Sequence, residues 1–223
     1  MTMTKELEAR LKLMQRFNQV SSKRYDKQKI YNDKIFVHND IMYATDGHIF
    51  VVAKNLTDQK DFSFFKCNNK KFTYLDSTVQ EVKEDKEALR DGEAFEKILT
   101  QFNYNSLSFD IDFEGYPLPL KLCSSWSSRW LDGLTINFQT EEAVFDFGGG
   151  SDELGGVTGT YGDIIKNISG QIPEAPYKLA CWNIIEILRQ CKVKKIHVES
   201  YPDRGHNTCK VGDYTFYFMA RGV

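Results

Sequence analysis

Long hydrophobic runs are missing from this chain of 223 residues. No apolar stretch approaches the roughly 18 residues that a membrane-spanning helix needs, and the mean hydropathy is -0.46. The opening sequence, MTMTKELEARLK, mixes charged and apolar side chains and has no apolar core of the signal-peptide kind. We therefore expect a cytoplasmic protein without a membrane partner.

Cysteine and histidine are too few and too scattered for the usual disulfide or metal frameworks. The five cysteines are an odd number, and no two of them form a CxxC pair. A disulfide framework is therefore not expected, in keeping with a reducing cytoplasm. His206 and Cys209 have a spacing that suits a metal, but no second pair completes a site. We predict no metal and no cofactor.

Recognisable catalytic motifs are also missing, since the chain contains no GxSxG, HExxH or GxxxxGK[ST] sequence. Asp46 and His48 lie close enough for acid–base work, which would suit a small hydrolase. The simpler interpretation is that Asp46 is a turn residue whose carboxylate bonds to the backbone. We therefore expect no catalytic residue and no enzyme activity. A small hydrolase that uses Asp46 and His48 is kept as an alternative.

An amphipathic segment opens the chain. Leu7, Leu11 and Met14 recur at helical spacing, which predicts a helix over residues 4–20. The opposite side of this helix carries a stripe of four cations: Lys5, Lys12, Arg16 and Lys23. A stripe without acids favours contact with an anion, and a solvated helix face is the alternative.

Charge is divided unevenly along the chain, although the total is only -2. Residues 1–29 hold eight basic and three acidic residues, whereas residues 131–174 hold eight acids and one lysine. Such segregation allows a basic surface on a protein that is acidic elsewhere. The low net charge therefore does not exclude contact with DNA.

Strand-like runs follow the first helix at residues 35–37, 41–43 and 49–52. Asn39-Asp40 and Asp46-Gly47 separate them, and these residue pairs tolerate positive φ, so we predict an antiparallel meander. Further predicted elements are strands at 62–66, 72–75, 107–111, 134–138, 143–147 and 214–218, a helix at 95–102, a charged loop at 81–93 leading into it, and Gly-rich hairpin loops at 148–175.

A helix-then-strand pattern occurs twice, offset by 89 residues. The helical spacing of residues 95–102 recurs at 184–191, and the strand alternation of 107–111 recurs at 196–198. This internal repeat indicates two similar domains. We place them at residues 1–118 and 119–223.

Residues 41–52, IMYATDGHIFVV, resemble a strand–turn–strand motif of bacterial-type DNA sliding clamps, the processivity factors of replicative polymerases. Residues 44–48 match the family's ATDGHR sequence, and Ile49 stands in place of its arginine. A helix at 182–191, a strand at 195–199 and a final strand running into a Met-containing tail are similar to the family's last domain. The resemblance implies an α+β fold of two similar clamp-type domains, with antiparallel β-sheets and helices on one face.

The resemblance also implies a function without catalysis. A clamp encircles duplex DNA without reading its sequence and tethers a DNA polymerase and other replication proteins, and a clamp loader is a further expected partner. The bacterial chains have three domains each and form rings of six similar domains. Two domains per chain therefore imply a homotrimer. A clamp-derived adaptor that binds client peptides without closing a ring is the alternative.

Site residues follow from the same resemblance by position. The residues expected to face DNA are Lys5, Lys12, Arg16, Lys23, Arg189 and Lys192. In the family, client peptides dock in an apolar cleft between the domain with the TDGH motif and the last domain. The residues expected to line it are Thr45, Gly47, His48 and Phe50 on one side, and Met219, Ala220, Arg221 and Val223 on the other.

Overall fold

The computed structural model of the chain describes residues 3–18, 33–45, 49–68, 71–88, 106–116, 133–140, 142–147, 157–179, 181–201 and 206–219. Within these segments the chain forms three helices and fourteen strands. Antiparallel pairing joins neighbouring strands. The predicted α+β class with antiparallel sheets is confirmed. Two compact units are present, one of residues 1–103 with 212–216 and one of residues 104–211 with 217–223.

The first helix, α1 (Lys5–Asn18), confirms the predicted amphipathic helix. Thr4 caps its start, since the Thr4 hydroxyl oxygen accepts a hydrogen bond of 3.1 Å from the backbone N–H of Leu7. The apolar face of the helix is fully buried, with at most 1% exposure at Leu7, Leu11, Met14 and Phe17. This burial stabilises the helix by roughly 1.5–3 kcal/mol for each large side chain.

The predicted meander is formed by β1 (Lys34–His38), β2 (Ile41–Thr45) and β3 (Ile49–Lys54). Asn39 occupies the first turn with a φ of 52°, a left-handed conformation that asparagine tolerates, as predicted. The second predicted turn, at 46–47, lies outside the described residues. Helix α1 packs against all three strands and so covers one face of this sheet.

Two further strands extend the first unit as predicted, namely β4 (Ser63–Asn68) and β5 (Lys71–Leu75). Strand β4 pairs with β1, not with its chain neighbour β3, and β5 pairs with β4. The last strand, β14 (Tyr214–Met219), lies beside β3. Its first residues therefore complete the unit, whose strand order is β14-β3-β2-β1-β4-β5.

The prediction of a charged loop at 81–93 is wrong for the described part, which is helix α2 (Gln80–Ala88). Two of its acids, Glu81 and Asp85, form ion pairs with Lys34 and Lys66 of the sheet. Lys34 Nζ lies 2.6 Å from Asp85 and 3.1 Å from Glu81. The helix predicted at 95–102 lies outside the described residues.

The second unit contains two sheets. The first has the order β10-β6-β12-β13, formed by β10 (Ile165–Ser169), β6 (Leu107–Asp112), β12 (Lys195–Tyr201) and β13 (His206–Val211). The second has the order β11-β7-β8-β9, formed by β11 (Tyr177–Leu179), β7 (Gly133–Asn137), β8 (Glu142–Phe147) and β9 (Val157–Gly162). Strands β9 and β10 correct the prediction of hairpin loops throughout 148–175.

Helix α3 (Cys181–Cys191) packs against β7, and Phe109 of β6 lies edge-on to Phe138 with ring centroids 5.3 Å apart. The predicted strands at 107–111, 134–138, 143–147 and 196–198 are all present. The compact units divide differently from the predicted boundary at 118/119, because β6 pairs with β10 and β12. The division into two similar domains, 1–118 and 119–223, stays a prediction.

Candidate nucleic-acid interface and client cleft

Helix α1 presents three of the expected DNA-facing cations on the side opposite its buried face. Lys5, Lys12 and Arg16 are all exposed, as the helical periodicity predicts. Lys23 lies outside the described residues. The described part of the stripe is therefore a surface of cations on a rigid, packed helix.

An acid lies beside this stripe and changes its electrostatics. Lys12 Nζ is 2.5 Å from a carboxylate oxygen of Glu8, and both side chains are about half exposed, at 53% and 46%. An exposed i, i+4 pair of this kind is worth only about 0.3–0.5 kcal/mol. A phosphate group can compete with Glu8 for Lys12 at that cost.

Arg10 belongs to the same basic segment but points inward. Its side chain is 5% exposed and donates hydrogen bonds to the Lys54 carbonyl and, over 2.8 Å, to Asp213. The guanidinium also lies 5.7 Å from the centroid of the Tyr214 ring. One sequence signal was available, since Arg10 falls about 140° from Lys5 on a helical wheel, next to the apolar side.

The cations of the second unit have a different setting. Arg189 is half exposed, and its guanidinium lies 2.6 Å from Glu186, whose side chain is fully buried. Arg189 therefore neutralises an internal carboxylate as well as facing solvent. Lys192 is exposed and follows α3 with a φ of 57°, a left-handed conformation that ends the helix.

Of the expected client-binding residues, the structure describes the side chains of Thr45 and Phe50. They lie directly opposite each other across β2 and β3. Phe50 is only 8% exposed, and its ring centroid is 5.8 Å from that of Tyr43. Met219 ends β14 in the other compact unit. Outside the described residues lie Gly47, His48, Ala220, Arg221 and Val223, together with Asp46.

Two of the described thiols, Cys67 and Cys209, are poorly suited to metal binding or nucleophilic attack. Burial raises the pKa of Cys67 to about 12, with the Asp33 charge adding to the effect. Burial likewise raises the pKa of Cys209, the cysteine of the predicted HxxC pair. Among the described residues, no three His, Cys, Asp or Glu side chains converge as a metal site. The same segments contain no helix able to cross a membrane.

One polar constellation was not predicted from the sequence. Ser108, His197 and Asp110 form a continuous hydrogen-bonded row across β6 and β12. The residues are separated by 87 and 89 positions in the chain, so no local motif connects them. Only the 89-residue repeat offset hinted that these two strands are related.

Comparison with known proteins finds similar folds among solved structures of bacterial sliding clamps. DNA polymerase III subunit beta from Pseudomonas aeruginosa matches with a TM-score of 0.58 and 9% identity, over 96% of this chain and 65% of that one. The beta chain from Streptococcus pneumoniae matches with a TM-score of 0.58 and 11% identity, over 97% of this chain and 63% of that one. The Helicobacter pylori beta clamp bound to a DNA ligase peptide matches with a TM-score of 0.54 and 13% identity, over 97% of this chain and 64% of that one.

These matches establish a clamp-type fold. No family model and no curated protein matches the sequence. The chain spans less than two thirds of the length of the clamps it resembles. At 9–13% identity the likeness is one of fold.

Proposed function

We propose that the protein is a DNA sliding clamp, a polymerase processivity factor that encircles duplex DNA and tethers replication proteins. The observation that carries this proposal is the clamp-type fold, which extends over 97% of the chain in the match to the Streptococcus pneumoniae protein. The ATDGH sequence at residues 44–48 supports it independently, since it resembles a motif of the same family.

DNA contact in this proposal uses phosphates only. The exposed Lys5, Lys12 and Arg16 supply mobile positive charge on one helix face, with Lys23, Arg189 and Lys192 as additional contacts. Such contacts carry no base-reading groups, so binding is insensitive to sequence and weakens steeply with salt. Weak, sequence-independent contact is what a protein needs in order to move along DNA.

In this proposal, three copies of the chain close the ring. Strand β5 ends the described sheet of the first unit, and β10 ends a sheet of the second. Such edges expose backbone donors and acceptors, which pairing between copies would satisfy. Three copies of a two-domain chain would then supply the six domains that the family resemblance implies.

The client cleft is the second half of the proposal. Thr45, Gly47, His48 and Phe50 form one wall, and Met219, Ala220, Arg221 and Val223 form the other. A related fold was solved with a DNA ligase peptide, which supports a replication-protein peptide as the class of partner. We expect the polymerase that uses this clamp to supply such a peptide.

Topological retention on DNA tests the proposal directly. Loaded on a nicked circular duplex, the protein should stay bound through a high-salt wash and be lost when the circle is linearised. Light scattering should give three times the chain mass of 25.8 kDa. A monomer that is retained equally on circular and linear DNA would contradict the clamp.

A clamp-derived adaptor is the second candidate function. The observation that favours it is the use of predicted DNA-facing cations in ion pairs within the chain, Lys12 with Glu8 and Arg189 with Glu186. An adaptor would bind the polymerase peptide as a monomer and show no retention on circular DNA.

A further inference from the structure

The row formed by Ser108, His197 and Asp110 has the order and spacing of a nucleophile, a base and an orienting carboxylate. Ser108 and Asp110 are two residues apart on β6 and so share one face of the sheet. His197 lies directly opposite Asp110 on β12. The distances are 2.9 Å from Ser108 Oγ to His197 Nε2 and 2.8 Å from His197 Nδ1 to Asp110 Oδ1.

The hydrogen-bond partners fix the roles of the two imidazole nitrogens. An ionised carboxylate only accepts hydrogen bonds, so Nδ1 of His197 carries the proton that is donated to Asp110. In the neutral ring Nε2 is then an acceptor, and the Ser108 hydroxyl donates to it. This arrangement directs the hydroxyl proton of Ser108 towards a base.

Asp110 is held ionised by its surroundings. Burial opposes its charge, but hydrogen bonds from Asn167, His197 and Lys195 outweigh burial and hold the pKa of Asp110 below its usual range. Asn167 Nδ2 lies 2.8 Å from Asp110 Oδ2, and Lys195 Nζ lies 3.3 Å from the same oxygen. Asn167 reaches this position from a bulge in β10, where its φ is 52°.

The row is open to solvent and borders a cleft. His197 is 50% exposed, whereas Asp110 behind it is 15% exposed. An open cleft of ≈ 490 Å³ is lined by Asp163 and residues 165–168, and Asn167 in its wall is the residue that bonds Asp110. A small molecule in this cleft would lie beside the carboxylate end of the row.

We propose that Ser108 is a nucleophile for small activated carboxylic and phosphoric esters, with His197 as its general base and Asp110 as the positioning residue. The Ser108 oxygen bonds to the acyl carbon or phosphorus while its proton passes to His197 Nε2. The bond to the leaving alcohol breaks, and that alcohol takes the proton from His197. Water, giving its proton to His197, then attacks the acyl or phosphoryl group, and the departing Ser108 oxygen takes that proton back as the acid is released. This activity is separate from the proposed clamp function.

Acylation and deacylation should both be slow. Strand β6 is paired on both sides, by β10 and β12, so its backbone N–H groups are engaged in the sheet. These N–H groups therefore cannot stabilise the negative charge that develops on the substrate oxygen. Losing a single preorganised oxyanion donor costs about 10²–10³ in rate in serine proteases.

A fluorophosphonate probe tests the proposal because it traps the activated serine covalently. The full chain should acquire one adduct, mapped by mass spectrometry to Ser108. Replacement of the base by His197→Gln should slow labelling by about 10²-fold or more, and Ser108→Ala should abolish the adduct. Ser169→Ala is the matched control, since Ser169 is exposed and lies opposite Ser108 on β10.

Two results would overturn the proposal. One is an unlabelled wild-type chain, and the other is labelling that Ser108→Ala or His197→Gln leaves unchanged. Circular dichroism confirms that each variant is folded, and the Ser108→Ala change removes only one surface hydroxyl. Release of p-nitrophenol from p-nitrophenyl acetate, slow in wild type and lost in Ser108→Ala, provides a second readout.

Discussion

Phe109 and Val198, which occupy equivalent positions of the 89-residue repeat, lie directly opposite each other where β6 pairs with β12. Both side chains are completely buried. An antiparallel pair of equivalent strands, centred on equivalent residues, has a local two-fold relationship. The two strands that the 89-residue spacing relates are therefore neighbours in one sheet.

Competition between Glu8 and phosphate predicts a specific gain of function. Glu8→Gln should strengthen duplex binding about twofold more than Glu6→Gln, because only the first change releases Lys12 from a pair worth about 0.3–0.5 kcal/mol. Both variants change the net charge equally, so Glu6→Gln is the control. Fluorescence anisotropy at low salt measures the difference, and equal affinities would mean that Lys12 does not contact DNA.

Charge reversal on α1 should impair the clamp without disturbing its fold. Lys12→Glu combined with Arg16→Glu places two acids on an exposed face whose opposite side holds the packing contacts. We expect shorter primer-extension products, unchanged mass by light scattering, and a salt slope of log K lower by about 0.9 for each lost phosphate contact. If processivity survives the double reversal, this stripe is a solvated face.

The buried pair of Lys34 and Asp85 should show strong coupling. Both side chains are less than 10% exposed and lie 2.6 Å apart. Lys34→Met leaves the buried Asp85 carboxylate unpaired and should cost roughly 3–5 kcal/mol. Asp85→Leu should cost less, because Glu81 still lies 3.1 Å from Lys34 Nζ. The double variant should cost much less than the sum of the two in urea unfolding. Additive losses would show that the two groups act separately.

Acid should weaken the contact between α2 and the sheet. A hydrogen bond from Lys66, opposed by burial and assisted by Lys34, lowers the pKa of Glu81. A lowered pKa in the folded state gives stability that is present above the unfolded value of about 4.3 and is lost as pH falls through the folded pKa. The melting temperature of Glu81→Gln should therefore lie below wild type at pH 7, and the difference should vanish as pH falls through the folded pKa. The exposed Glu84→Gln serves as the charge-matched control.

A backbone clash distinguishes two glycines with similar conformations. Gly170 and Gly115 have φ values of 96° and 89°, so an alanine at either position is strained by about 1–2 kcal/mol. At Gly170 the added Cβ would also lie 2.2 Å from the Ser106 carbonyl oxygen, whereas at Gly115 it meets nothing within 4 Å. Gly170→Ala should therefore have the lower melting temperature. Equal values would mean that residue 106 moves freely away.

Periodicity explains which elements could be predicted. Helix α1 and strand β6 have regular apolar spacing, and β1 to β5 contain short runs of apolar and aromatic residues, so composition and pattern were sufficient. Helix α2 was missed because its acids suggested a solvated loop, and the lysines that pair with them lie on β1 and β4. Strands β9 and β10 were missed because glycine has no side chain to show alternation, and polar residues occupy much of both strands.

The candidate site was predictable to the same extent. A helical wheel correctly placed Lys5, Lys12 and Arg16 on an exposed face. It could not show that Glu186 is buried beneath Arg189, because burial depends on packing against other elements. The row from Ser108 to His197 depends on two strands meeting in one register, which no local spacing encodes.

Arg10 bonds to one residue that the ribosome adds early and to another that it adds near the end of synthesis. Its partners Lys54 and Asp213 lie within the same compact unit, and Phe17 of the same helix packs 5.0 Å from Phe216 between ring centroids. A ribosome that adds about 5–20 residues per second delivers residue 213 some ten seconds or more after residue 10. During that interval α1 is without its last strand, and the nascent first unit must wait with part of its apolar surface uncovered.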